Sequence, residues 1–193
     1  MKRSALNAAK NILKKRNFLQ SEPAAVRQLQ KVIMPCYGVY LGSNRLMPKV
    51  LVFYYSRTGR TEKMANAVAE GARAGGSIEV ALEYHIQADD LSTFDAIIVG
   101  APTYHHEMPM GIKRLLEEAA EKNINLKGKT GAAFGSYGWS GEAPRLVLEV
   151  MKYKFEMQVP EQPLLARDEP SPTVLKACGD LGKRISEILI RGA

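Results

Sequence analysis

From Val50 to Tyr55 every side chain is apolar or aromatic, and Ser-Arg-Thr-Gly-Arg-Thr follows at once over 56–61. A strand with one wet face alternates apolar and polar residues. A run that is apolar at consecutive positions needs cover on both faces, as an interior strand of a parallel sheet has. The next segment supplies such cover: over Thr61 to Ala74 the residues Met64, Ala65, Val68 and Ala72 fall on one helical stripe. The pattern then repeats. Ile78 to Tyr84 alternates as a strand, and Asp95 to Gly100 is a second buried one. A helix is expected over 109–122 with Pro109 near its first turn. Thr130 to Gly135 reads as a small-residue strand, Glu142 to Phe155 as a helix, Gln158 to Leu165 as a last strand and Thr173 to Ile190 as a last helix. Five strands alternating with helices predict an α/β fold with a parallel sheet between two helical layers.

Charge separates this body from what precedes it. The 193-residue chain has a net charge of +7, yet residues 1–46 hold nine Lys/Arg against the single acid Glu22. Residues 47–193 hold eighteen Lys/Arg and nineteen acids, a near-neutral balance. The expected organisation is a basic N-terminal extension over 1–47 and a folded domain over 48–193. In the extension Leu6, Ala9, Ile12 and Leu13 recur at helical spacing and an irregular stretch follows. Three roles stay open for it: a docking arm for a partner or an anionic surface, a basic transit peptide, or an extension of little consequence. A basic arm alone is a weak argument for nucleic acid, because no RNP, KH or zinc-finger signature accompanies it.

Cys36 and Cys178 show no CxxC spacing, which argues against a disulfide framework or a zinc ribbon and suits a reducing, cytoplasmic setting. No apolar run reaches the roughly 18–20 residues of a membrane span. The apolar stretch Val32 to Leu41 is broken by Pro35 and Gly38.

Chemistry gathers in three loops, each expected at the carboxyl end of a strand. In an open α/β sheet ligands bind there, where strand order reverses. The loop Ser56-Arg57-Thr58-Gly59-Arg60-Thr61 offers three hydroxyls, a bendable glycine and the free N–H groups of a helix start. Those are the parts of a phosphate site. Neither a Walker A loop nor GxGxxG is present. A second loop, Gly100 to Pro109, carries Pro102, Thr103, Tyr104 and His105. A third, Gly135 to Glu142, carries Ser136, Tyr137, Gly138, Trp139 and Gly141, and Trp139 is the only Trp of the chain. Tyr104, Tyr137 and Trp139 are candidate aromatic walls for a flat ring, which glycine backbone can approach closely.

The segment Val50 to Ala65, with its [ST]-x-T-G-x-T pattern, resembles the FMN phosphate loop of the flavodoxin family. Residues 131–145 are similar to the flavodoxin module of A-type flavoproteins, the flavodiiron proteins. The resemblance covers roughly 48–191 and implies a doubly wound sheet of order 2-1-3-4-5 with FMN as cofactor. It implies a phosphate held by Ser56, Arg57, Thr58, Gly59, Arg60 and Thr61, and a ring bordered by Pro102, Thr103, Tyr104, His105, Ser136, Tyr137, Gly138, Trp139 and Gly141. A diiron site needs several His and carboxylate ligands. This chain has only His85, His105 and His106, so no metal site is expected.

The resemblance implies a carrier that passes electrons to a separate redox protein. Two alternatives stand beside it: an NAD(P)H:quinone-type FMN oxidoreductase, and an FMN-binding subunit of a larger redox complex. Self-association of the chain stays open, since the arm's Ile33, Tyr37, Tyr40 and Leu41 are free to pack on a second copy.

Overall fold

The side-chain alternation of the strands decides which helix covers which face. The computed structural model describes residues 47–192, so the readings made for residues 1–46 lie outside the described residues. Five strands form one sheet: β1 (Lys49–Tyr54), β2 (Glu79–Glu83), β3 (Ala96–Gly100), β4 (Thr130–Tyr137) and β5 (Leu164–Arg167). Their order is β2-β1-β3-β4-β5 and every pairing is parallel. The helices between them are α1 (Arg60–Ala74), α2 (Met110–Glu121), α3 (Glu142–Glu149) and α4 (Pro172–Arg191). This is the expected three-layer doubly wound sheet.

Leu51, Phe53, Ile97, Val99 and Ala133 point to one face. There they meet Ile112, Leu115, Leu116 and Ala119 of α2 and Val147 and Leu148 of α3. Val50, Val52, Ile98, Ala132 and Phe134 point to the other, against Met64, Ala65, Val68 and Ala69 of α1 and Cys178, Leu181 and Ile185 of α4. Successive residues of β1 thus enter different cores, which is why the segment has no polar position to alternate with.

Three elements differ from the expectation by two residues or more. β4 continues through Ser136 and Tyr137 instead of ending at Gly135, because β5 pairs with it there at Ala166 and Arg167. The last strand runs from Leu164 to Arg167 rather than from Gln158 to Leu165. Gln158 makes a single bridge to Thr130, then Pro160 and Pro163, which have no N–H, carry the chain out of the ladder until Leu164 rejoins it. The helix expected from Glu142 to Phe155 is α-helical only to Glu149 and closes in a π-helical turn over Val150–Lys154. A 3₁₀ turn over Ala88–Thr93 buries Ala88 and Leu91 under α2.

Helices α1 and α4 touch through their backbones. A Cβ added at Gly71 would stand 1.9 Å from the Gly179 carbonyl oxygen, and one at Gly182 would stand 2.0 Å from that of Val68. Ser186, fully buried, donates across the same seam to the Ala72 carbonyl at 2.9 Å. The close approach fixes the C-terminal half of α1 against α4. Gly182→Ala is therefore expected to lower stability by about 1–3 kcal/mol, since a rigid carbonyl must give way. Urea denaturation checks this as a lower midpoint at unchanged m-value. Gly111→Ala, where an added Cβ meets nothing within 4 Å, is the control and should leave the midpoint unchanged or raise it.

Candidate functional site

The carboxyl ends of β1, β3 and β4 lie side by side, and the three loops leave the sheet on that edge. The first turns at Gly59, whose φ of 80° is a left-handed conformation that a side chain would strain. That bend sets Arg60 at the first turn of α1. No side chain caps this helix, whereas α4 is capped by Ser171, whose hydroxyl accepts from the Val174 N–H at 3.3 Å. The first-turn N–H groups of α1, like those of α2, are thus without a side-chain acceptor among the described residues, with the positive end of the helix dipole behind them. Donors left uncapped at a helix start suit a phosphate group.

The expected loop residues separate into two kinds. Ser56 is half-buried, and Arg57 and Thr58 are exposed at the loop. Thr61 is turned inward: its hydroxyl lies 2.9 Å from that of Ser136, and both side chains are buried. This bond ties α1 to the end of β4. Arg60 reaches sideways to Asp168 at 3.5 Å and Glu169 at 3.7 Å, and Lys63 also pairs with Glu169, so these cations hold the loop after β5 against α1.

The second and third loops are joined to one another. The Thr103 N–H donates to the Ser136 carbonyl at 3.1 Å, and the Thr103 hydroxyl accepts from the Ala143 N–H at 3.1 Å in the first turn of α3. Pro102 is buried beneath this junction and Gly141 precedes α3. Tyr104 and Glu107 exchange two backbone hydrogen bonds, at 3.1 and 2.9 Å, around a two-residue turn. Its central residues are His105 (φ 50°) and His106 (φ 64°), a pair of left-handed positions usually given to Asn-Gly.

His106 and Glu142, each named by the sequence, form a contact that it did not foretell. His106 Nδ1 lies 3.0 Å from Glu142 Oε1 and 3.2 Å from the Ser140 hydroxyl. Hydrogen bonds from His106 and from Ser140 hold the Glu142 carboxyl down at about 2. Its other oxygen, Oε2, is buried without a partner.

Of the three expected aromatic walls, Tyr104 and Tyr137 are half-buried, while Trp139 stands 87% exposed at the tip of its loop beside exposed Gly138. The aromatic surface nearest the first loop comes from residues that sequence reasoning passed over. Tyr55 stacks on Tyr84 with centroids 5.7 Å apart and meets Tyr104 edge-on at 6.2 Å, and Tyr54 meets Tyr84 at 5.5 Å. The available signal was the Tyr54-Tyr55 pair at the end of one strand and Tyr84 at the end of its neighbour. Burial and the adjoining Tyr55 push the Tyr104 phenol above its ordinary value, with Arg57 opposing them. Among the described residues no group of three His, Cys, Asp or Glu side chains is placed to hold a metal ion, and no helix is long and apolar enough to cross a membrane.

The Glu142 carboxylate has a lower value in the folded chain than its ordinary 4.5. Its contribution to stability is therefore fully present above about pH 4.5 and is lost as pH falls from there toward 2. Glu142→Gln removes that dependence. Denaturation midpoints of the two proteins should differ between pH 5 and 7 and converge as pH approaches 2, the parent chain losing more.

Comparison with known proteins follows the same lines. The family model described as Flavodoxin matches residues 52–179. The Type A flavoprotein fprA of Rhodobacter capsulatus is 35% identical over 147 residues, which cover 72% of this chain and 33% of that protein. An NAD(P)H dehydrogenase (quinone) of Azorhizobium caulinodans is 42% identical over 113 residues, 47% of this chain and 57% of the relative. A solved flavodoxin from the domain Archaea superposes with a TM-score of 0.66 at 35% identity, covering 74% of this chain and 99% of the other. The chain thus spans from 33% to 57% of the length of these two curated relatives.

Proposed function

This chain belongs to the flavodoxin family and is an FMN-binding module, and from that premise we propose that it passes electrons between FMN and a separate redox protein. The reading rests on one observation above all. An uncapped helix start, bent into place by Gly59, stands at the carboxyl end of β1, where the order β2-β1-β3 reverses direction. A terminal phosphate fits there. Its oxygens would accept from the first-turn N–H groups and from the hydroxyls of Ser56 and Thr58, with Arg57 beside them. Thr61, bonded to Ser136, would act mainly by keeping α1 in register with β4. The ring would lie along the second and third loops, bordered by backbone of Pro102, Thr103, Tyr104 and His105 and of Ser136, Tyr137, Gly138, Trp139 and Gly141.

FMN supplies the redox chemistry when bound, taking up and releasing electrons. The chain's own residues orient and shield. Thr103 locks the two ring loops together through the Ser136 carbonyl and the Ala143 N–H. Exposed Trp139 and Met110, 87% and 61% accessible, leave apolar surface on this edge for a transient partner contact. A reductase of the NAD(P)H:quinone kind is the second reading, favoured by the 42% identity to a protein of that name. Quinone reduction by NAD(P)H at steady state separates the two, since a carrier alone should show none above free FMN.

Two outcomes check the site and its boundary. Thr58→Glu sets a carboxylate against the phosphate, and a like charge at about 4 Å is worth enough to weaken FMN at least ~100-fold. Full flavin occupancy of the purified variant, read from its visible absorbance, would overturn the placement. A chain starting at Met47 should fold and bind FMN as tightly as the whole. Loss of flavin or of folding in that truncation would make residues 1–46 part of the domain.

A further inference from the structure

Ser136 is the residue at which the three loops of the carboxyl edge meet. It lies in β4 two positions after Phe134, so its side chain enters the same layer, the one that holds α1. There its hydroxyl lies 2.9 Å from that of Thr61, the second residue of α1. Its carbonyl accepts from the Thr103 N–H at 3.1 Å in the loop after β3, and its backbone pairs with Ala166 of β5. A serine held by its backbone on two sides gives its hydroxyl a fixed base.

Counting hydrogens shows what this pair lacks. Each hydroxyl has one hydrogen to give and two lone pairs to receive with. Two hydroxyls that meet use one hydrogen between them and leave one over. Thr61 and Ser136 are 1% and 7% exposed, and neither hydroxyl has a further partner among the described residues. A buried donor without an acceptor is costly.

The direction of the bond decides where the remaining hydrogen sits. With Thr61 donating, it is left on Ser136, between β4 and α1. With Ser136 donating, it is left on Thr61, in the helical turn that starts at Arg60 and whose N–H groups likewise lack a side-chain acceptor. An anion at that turn accepts from the N–H groups and from Thr61 together, with the helix dipole in its favour. The cations of the same turn are otherwise engaged. Arg60 pairs with Asp168 and Glu169, and Lys63 pairs with Glu169.

We propose that Ser136 is a positioning residue for the cofactor's phosphate. By donating to Thr61 it leaves the Thr61 hydroxyl to donate to the phosphate, and so sets how strongly the site prefers a phosphorylated flavin to an unphosphorylated one. The inference rests on the proposed placement of the FMN phosphate at the start of α1. Thr61 keeps its part in aligning α1 with β4, and the same bond aims its hydrogen. Ser136 acts on the phosphate through Thr61 alone.

The test titrates the full-length apo chain with FMN and, separately, with riboflavin, which has the same ring and no phosphate. Quenching of flavin fluorescence gives both affinities, and their ratio is the readout. In Ser136→Ala the preference for FMN should fall about 5- to 10-fold, within the span of a single hydrogen bond. Thr61→Val keeps the shape, removes the hydroxyl and should lower the preference at least as far, while Thr61→Ser should keep it at the parent's value. Adding Ser136→Ala to Thr61→Val should lower it no further, because the two residues act in series. A ratio unmoved by Ser136→Ala, with both flavins bound as before or weakened alike, would make the bond a structural support and overturn the proposal. A fall of equal size with and without the Thr61 hydroxyl would overturn it too, since Ser136 would then act by another route. A parent chain that binds riboflavin as tightly as FMN would overturn the phosphate placement itself, and the proposal with it. Circular dichroism of each variant before titration shows that a change in affinity is not a loss of fold.

Discussion

The interior strands are dry on both faces, and everything at the candidate site follows from that requirement. Val50 and Val52 enter one core while Leu51 and Phe53 enter the other. Each core must be closed by helices, and right-handed crossovers between parallel strands bring each helix back to start the next strand at the same end. All five strands therefore finish on one edge. The loops on that edge are relieved of packing duties and are free to carry hydroxyls, glycines and aromatic rings.

Tight packing supports that edge at a distance. The backbone contact of α1 with α4 at Gly71, Gly179 and Gly182 leaves no room for side chains, so the angle of α1 to the sheet has little slack. At the other end of α1 the Thr61–Ser136 bond fixes the helix start against β4. Backbone N–H groups at a helix start cannot be re-aimed as side chains can, so the direction of those of α1 is inherited from these two contacts. Stability and site geometry are here the same property of one helix.

The loops after β3 and β4 are built on a different principle. They are cross-linked by polar bonds, Thr103 to Ser136 and Ala143, His106 to Glu142 and Ser140, rather than by apolar burial. Bonds of this kind near the surface are modest and open readily. The buried but unpartnered Oε2 of Glu142 belongs to the same junction. It marks a place where polar satisfaction is incomplete between otherwise well-joined loops.

Much of this was legible in the sequence, for a physical reason. The consecutive apolar residues of 50–55 and 95–100, the helical stripe of Met64, Ala65, Val68 and Ala72, and the hydroxyl-glycine turn of 56–61 are each local in the chain. Local pattern and buried surface agree there, so the fold class, and a turn leading from the first strand into a helix, could be read directly. The interrupted entry to β5 was less visible, because Pro160 and Pro163 act against an apolar pattern that continues past them. What only the tertiary structure decided were contacts between residues far apart in sequence. Thr61 falls on the helical stripe of Met64, Ala65 and Val68, but that its hydroxyl meets Ser136 needs α1 and β4 brought together. The stacking of Tyr55 on Tyr84 needs the register of β1 against β2, and the pairing of His106 with Glu142 needs β3 and β4 as neighbours. A one-dimensional pattern states what each residue prefers to bury. Which partner it meets is set by strand order, and strand order exists only once both cores have closed.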